Sequence, residues 1–120
     1  MDREGPIHRA IVAYLFLRLP GAVIHASPNS FGDLNGPAIG RQVAKAKHNG
    51  MLPGWPDIEA FWRGRAMFFE VKAGKAKARE NQSQIGAALV ANGALWAVVN
   101  SVDSVAEKLA EWGCNDANAR

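Results

Sequence analysis

The chain has 120 residues, 48% of them hydrophobic, and a net charge of +3, which together predict one globular domain spanning residues 1–120. It has no run of eighteen apolar residues and no apolar segment near Met1, so we expect neither a transmembrane helix nor a signal peptide. Cys114 is the only cysteine, which excludes an internal disulfide and a cysteine-based zinc site and favours a cytoplasmic location.

The N-terminal part of the chain predicts a helix, a strand and a long loop. Residues 4–19 carry apolar side chains at three- and four-residue steps, which is typical of an amphipathic helix. The short β-branched run at residues 22–25 predicts a strand. Residues 27–54 are rich in glycine and proline and predict irregular chain, broken by a short helix that begins at Pro37 and ends at Asn49.

The C-terminal part predicts a hairpin and then a helix, a strand and a helix. Residues 57–62 and 66–72 are two strands joined by a tight turn at Arg63-Gly64-Arg65, so they should be antiparallel. Residues 80–92 predict the next helix. The face of this helix that we expect to be buried consists of Ile85, Ala88 and Leu89.

The last part of the chain completes the predicted sheet. Residues 95–99 are apolar throughout and predict a strand covered on both faces. Ser101 can cap a final helix, and the tail from Gly113 should fray. A strand reached through a helical crossover is parallel to its predecessor. The pattern therefore predicts an α/β domain in the order α-β-β-β-α-β-α, with a mixed sheet flanked by helices.

Positive charge is concentrated in the middle of the sequence. From Arg41 to Arg79 nine lysines and arginines stand against three acids, a local charge of +6, while the remainder carries −3. Such a segment indicates an anionic polymer as partner, although charge runs are also common on solvated surfaces. The residues that we expect to bind phosphates are Arg41, Lys45, Lys47, Lys75, Lys77 and Arg79.

Two carboxylates and a lysine in this basic segment indicate hydrolytic chemistry. Glu70 and Lys72 are two apart in a predicted strand, so they point to the same face, and Asp57 begins the partner strand. Mg²⁺ needs only one or two carboxylates besides water and substrate phosphate, and the Val71 carbonyl offers another oxygen. Lys72 would hold or deprotonate the attacking water, or stabilise charge at phosphorus. The simpler interpretation, an exposed Glu-Lys pair on a strand, loses weight because Pro56-Asp57 precedes it at hairpin spacing.

These motifs resemble the VRR-NUC domain, especially its small stand-alone phage and bacterial forms, within the PD-(D/E)XK nuclease superfamily. The shared motifs are Gly-x-Pro-Asp at residues 54–57 and Glu-x-Lys at residues 70–72, preceded by Lys-x-x-Gly at residues 47–50. The similarity covers residues 4–112, nearly the whole chain.

The resemblance implies further site residues on the two flanking helices. Glu4 would bind the metal directly or through water, although an acidic residue at the start of a helix also favours the helix dipole. It is followed four residues later by His8, where the family usually has glutamine. A catalytic glutamine should open the helix that follows Lys72. Gln82 and Gln84 both compete for that role, and the spacing from Lys72 favours Gln82.

The resemblance also implies a restriction-endonuclease-like fold and a metal-dependent DNA endonuclease that uses Mg²⁺ or Mn²⁺. Its substrate would be branched DNA, such as four-way junctions or flaps. Two symmetric cuts in a junction would require a homodimer. The alternative is a module that binds nucleic acid in a replication or recombination assembly without cutting it, which the intact carboxylates and lysine argue against. A small-molecule phosphoesterase is a more distant alternative, opposed by the long basic loop.

Aromatic and histidine side chains near the motif leave one alternative open. Trp62 and Trp96 lie in strand patterns and are predicted to be core residues. Trp55, inside the motif, fits either stacking on a base or packing within the protein. We interpret His25, on its short apolar strand, as structural.

Overall fold

The computed structural model describes residues 3–27 and 37–114, which form four helices and one four-stranded sheet. The helices are α1 (Glu4–Arg18), α2 (Pro37–His48), α3 (Glu80–Ala91) and α4 (Val102–Glu111). The strands are β1 (Val23–Ala26), β2 (Ile58–Trp62), β3 (Arg65–Val71) and β4 (Leu95–Val99). The short helix expected within the loop is α2, which lies between the first two strands of the predicted order. Residues 28–36 of that loop and the tail beyond residue 114 lie outside the described residues.

The sheet has the strand order β1-β2-β3-β4 and combines both pairing directions. β1 and β2 are antiparallel, as are β2 and β3, whereas β3 and β4 are parallel, as the hairpin and the helical crossover predicted. The turn is shorter than predicted because Arg65 already pairs with Trp62. Arg63 and Gly64 both have positive φ angles, 49° and 81°, as in the type I′ turns that match the twist of a hairpin.

The hydrophobic core lies between one face of the sheet and the pair of helices α1 and α4. α1 contributes Ile11 and Leu15, and α4 contributes Val105 and Leu109, all fully buried. The sheet residues in this core are Ile58, Ala60, Trp62, Met67, Phe69, Val71, Ala97 and Val99. A slip of one residue would turn a strand's whole apolar set to the other face, so this burial fixes the register. None of the described helices is long and apolar enough to cross a membrane.

α3 covers part of the opposite face of the sheet. Its buried residues are Gln82 and Gly86, one helical turn apart, and Gly86 lies against the indole of Trp96 in β4. The predicted burial of Ala88 is wrong, because this residue is exposed. The helix approaches the sheet through its glycine, and that contact turns the buried face away from Ala88.

Among the described residues, the β1–β2 half of the same face is exposed at the end that carries Val23 and Phe61. Val23 and Phe61, which are paired across these strands, are 64% and 43% exposed. The end of β3 and the start of β2 therefore lie at the border between the part of the sheet that α3 covers and the open part. The predicted motif residues fall at this border.

The contact between Gly86 and Trp96 makes a prediction about stability. A Cβ atom at position 86 would lie 2.3 Å from two indole ring atoms of Trp96. Overpacking costs about 1–3 kcal/mol, more than the roughly 1 kcal/mol by which alanine is favoured over glycine in a helix. We expect Gly86→Ala to lower the free energy of unfolding by about 1–2 kcal/mol in urea denaturation.

Gly40 in α2 provides the matched control. No atom lies within 4 Å of a Cβ built at this helical position. Gly40→Ala should therefore be neutral or raise the free energy of unfolding by up to about 1 kcal/mol. Equal destabilisation by the two substitutions would show that the Trp96 contact is not the cause.

Candidate active site

Backbone hydrogen bonds hold Asp57 beside the end of β3. Its N–H donates to the Phe69 carbonyl at 3.0 Å, and its carbonyl accepts from the Ser27 N–H at 2.8 Å. Its carboxylate oxygen Oδ2 accepts from the Val71 N–H at 2.7 Å. The Asp57 backbone is thus held between β3 and the residue that follows β1, and its side chain is held by β3.

The glycine of the Gly-x-Pro-Asp motif is required by two features of the turn. Gly54 has φ +88°, a conformation that L side chains rarely adopt. A Cβ atom there would also lie 3.0 Å from backbone atoms of Asn81, in the first turn of α3. The turn that delivers Asp57 therefore packs directly on the helix that carries Gln82.

Glu70 is a buried carboxyl group with unusual electrostatics. It is 2% exposed. Burial and the neighbouring Asp57, through both charge and a hydrogen bond, raise the pKa of Glu70 to about 8, while Lys72 and Arg79 oppose the shift. Its oxygen Oε1 is buried and has no hydrogen-bond partner among the described residues. One oxygen of this carboxyl is therefore available to a proton or a cation.

Gln82 fixes the other oxygen of Glu70. Its amide Nε2 donates to Glu70 Oε2 at 2.9 Å, and its Oε1 accepts from the Arg79 N–H at 2.7 Å. The second bond satisfies a free N–H at the start of α3 and determines which way the amide faces. The competing Gln84 is exposed and donates to Glu80 at 3.4 Å instead. The geometry thus brings Gln82, and not Gln84, to the carboxylates.

Lys72 lies on the same face as Glu70, as the strand alternation predicted. Its side chain is 11% exposed, and Nζ is 3.8 Å from Glu70 Oε2, an ion pair rather than a hydrogen bond. Its backbone N–H donates to the Val99 carbonyl at 2.9 Å, which ties the end of β3 to β4. The ammonium group is thereby held next to the carboxylates with donors left for another partner.

These side chains line one open cleft with a volume of about 990 Å³. Glu4 reaches it from α1 and Lys47 from α2, and Arg79 lines it at the start of α3. Of the six predicted phosphate-binding residues, Lys47 and Arg79 line this cleft. The other four are exposed residues outside its lining, namely Arg41, Lys45, Lys75 and Lys77.

The carboxylates fit a divalent cation. Mg²⁺ takes oxygen ligands and needs one or two carboxylates, with waters and substrate phosphate as the remainder. A cation between Asp57 and the free oxygen of Glu70 would remove the repulsion and part of the burial cost that raise the pKa of Glu70. The part of the chain that the structure describes contains no group of three or more His, Cys, Asp or Glu residues arranged to hold a metal. Glu4 shares the cleft without forming such a group.

Sequence reasoning missed a second cluster in the same cleft. Glu59 Oε1 lies 3.2 Å from His25 Nδ1, and its Oε2 accepts a hydrogen bond from the indole N–H of Trp55. Trp55 also packs edge-on against Phe68, with ring centroids 5.6 Å apart. The available signal was alternation: Asp57 and Glu59 are two apart at the start of one strand, so they share a face.

Comparisons with known proteins identify the fold. No family model matches the chain, and no curated protein matches it. A solved structure described as "VRR_NUC domain protein" superposes with a TM-score of 0.66 and 18% identity, over 100% of this chain and 98% of its own. Another, described as "VRR_NUC domain", has a TM-score of 0.62 and 22% identity, over 92% of this chain and 97% of its own. The chain therefore has the fold of the VRR_NUC domain, as its motifs predicted.

Proposed function

We propose that the protein is a metal-dependent endonuclease of the PD-(D/E)XK type that hydrolyses phosphodiester bonds in DNA. One observation carries this proposal: Glu70 is buried with an unpartnered oxygen, directly beside Asp57 and Lys72. Two carboxylates and an ammonium group at the base of a cleft suit the hydrolysis of an anionic ester. The likeness to VRR_NUC structures supports the same reaction class by fold alone.

Mg²⁺ or Mn²⁺ would be held by Asp57, Glu70 and the Val71 carbonyl. The Val71 N–H points to Asp57, and the carbonyl of a strand residue points to the same side as its N–H, so both face the carboxylates. Glu4, which lines the same cleft, would be a further ligand or would contact the ion through water. When bound, the ion supplies Lewis-acid activation of the phosphate and of water.

The chain's own residues do the remaining work. Gln82 fixes the orientation of Glu70 through one amide hydrogen bond and is itself fixed by the start of α3. Lys72, held on the same face as an ammonium group, orients the attacking water and stabilises the negative charge that develops at phosphorus. Lys47 and Arg79 bind flanking phosphates by charge, together with the exposed lysines and Arg41.

Branched DNA as the substrate and a homodimer as the active assembly are part of this proposal. The cleft is open, which suits a bulky polymer better than a small molecule. Phe16 and Leu17 on α1 are 57% and 81% exposed and offer apolar surface for a second copy. Two active sites related by a two-fold axis would suit paired cuts. Light scattering measures the mass in solution, and we expect the mass of a dimer.

Cleavage tests the proposal directly. Purified protein is incubated with labelled single strand, duplex, flap, fork and four-way junction DNA in Mg²⁺, Mn²⁺, Ca²⁺ or EDTA. We expect cleavage in Mg²⁺ or Mn²⁺, strongest on a branched substrate, and none in EDTA. Binding to the panel without cleavage in any metal would instead identify a nucleic-acid-binding module.

The two carboxylates should be indispensable for cleavage. Asp57→Asn and Glu70→Gln each remove a metal ligand's charge while keeping side-chain volume, so each should abolish measurable cleavage. Glu107→Gln, an exposed position on α4, is the matched control and should cut at the wild-type rate. Retained activity in either cleft variant would contradict the proposed metal site.

The pH dependence of stability should reveal the buried carboxyl. The pKa of Glu70 is raised from 4.5 to about 8, so between these values the folded metal-free protein holds a proton that the unfolded chain releases. The unfolding free energy must then fall as pH rises through this window. Relative to Glu70→Gln, the wild type should lose stability from pH 4.5 towards 8, and Mg²⁺ should restore it at pH 8. A constant difference between the two proteins in chelator would contradict this.

Lys72 should matter more for the reaction than for binding. Lys72→Met keeps the aliphatic stem but removes the ammonium, so we expect the single-turnover rate to fall by about 10²-fold or more. DNA affinity measured in Ca²⁺ should change little. Lys47→Met is the contrasting variant, with weaker binding and a nearly unchanged rate at saturation. Parallel losses of rate and affinity in Lys72→Met would make Lys72 a phosphate anchor.

A further inference from the structure

The cluster of His25, Glu59 and Trp55 has no part in the mechanism above. His25 on β1 and Glu59 on β2 are directly paired across the two strands. Both line the cleft, together with Trp55. The His25 side chain is 59% exposed and the Glu59 side chain 16%, so the imidazole reaches solvent while the carboxylate beneath it is largely covered.

Glu59 is a costly residue in a cleft for a polyanion. The same cleft already contains Glu4, Asp57 and Glu70, and Glu59 adds a fourth carboxylate against the three cations Lys47, Lys72 and Arg79. Another carboxylate would repel substrate phosphates unless its charge were taken up locally. Two donors point at it: the Trp55 indole N–H at Oε2 and His25 Nδ1 at Oε1. Glu59 is therefore placed to hold and orient an imidazolium group.

We propose that His25 is a phosphate-binding residue that contacts a backbone phosphate flanking the scissile one. Its Nδ1 donates to Glu59, so in the imidazolium form the Nε2–H is left for a substrate oxygen. Trp55 fixes Glu59 and so acts as a positioning residue. The ligand is a phosphodiester of the nucleic-acid backbone, so this inference rests on the proposed function.

The location agrees with that role. Glu59 follows Asp57 by two residues, about 7 Å along the strand, and both point to the same face of the sheet. This part of the face lines the cleft, together with Trp55. A strand of nucleic acid leaving the carboxylates along β2 would pass over His25. The charged groups that share its cleft are Glu4, Lys47, Asp57, Glu59, Glu70, Lys72 and Arg79.

A purely structural role explains less. β1 is already joined to β2 by four consecutive residue pairs. An ion pair with one partner this exposed adds little to that pairing.

The test is the salt dependence of DNA binding in Ca²⁺, with a fluorescein-labelled forked duplex as probe. Histidine changes charge between about pH 5 and 8, so titrations are made at both ends of this range. At the acidic end, His25→Gln should reduce the slope of log K against log salt by about one unit, and near pH 8 it should match wild type. His25→Lys introduces a cation that stays charged at both pH values, so this variant should show the slope of acidic wild-type protein at both of them.

Controls separate the possible outcomes. Lys108→Gln removes a cation from α4, on the other side of the sheet, and should leave the slope unchanged. Thermal melting checks that the His25 variants fold. If His25→Gln keeps the wild-type slope at acidic pH, the phosphate contact is overturned, whether or not wild-type protein cuts DNA in Mg²⁺. If wild-type protein does not cut DNA but His25→Gln reduces the slope as expected, the proposed nuclease activity is overturned and the phosphate contact of His25 is supported.

Discussion

The burial of Glu70 against Asp57 is the constraint that organises this molecule. Two carboxyl groups in contact, one of them shielded from water, are stable only if a proton or a cation lies between them or near them. Gln82 donates to Glu70 Oε2, and the Val71 N–H donates to Asp57 Oδ2, while Glu70 Oε1 has no hydrogen-bond partner among the described residues. The site is thus prepared for a positive charge before any substrate arrives.

The two faces of the sheet differ in what they carry: one packs the core, and the other carries the carboxylates of the candidate site. The face towards α1 and α4 is apolar and supplies most of the core. The other face is partly covered by α3, through contacts that leave little tolerance: Gly86 against Trp96, and Gly54 against Asn81. One contact joins α3 to β4, the neighbour of the strand that carries Glu70, and the other joins it to the turn that precedes Asp57, so a shift of this helix would move Gln82 relative to Glu70. The two glycines therefore set the geometry of the site without contributing a functional group.

Features that depend on residues close together in the sequence were predicted, whereas contacts between distant residues were not. The motif, the shared face of Glu70 and Lys72, and the parallel crossover follow from local spacing and periodicity, which a sequence displays directly. Of the three residues predicted to be buried on α3, Ile85 and Leu89 are half-buried and Ala88 is exposed. An apolar pattern gives no weight to a glycine, whereas close packing on an indole requires one. The pairing of His25 with Glu59 joins residues thirty-four positions apart. It depends on the register between β1 and β2, which local pattern does not specify.

The turn at Arg63 and Gly64 lies at the opposite end of the hairpin from the carboxylates. β2 spans five residues, so about 17 Å of paired strand separates the turn from Asp57. Both turn residues are exposed, and such tips accept inserted sequence with little effect on the elements they connect. The chain thus contains a natural attachment point: a fluorophore or a targeting domain joined there would be carried by the scaffold without entering the cleft. Because the turn is far from the carboxylates, a recognition domain fused there could direct the protein to a chosen target without blocking the cleft.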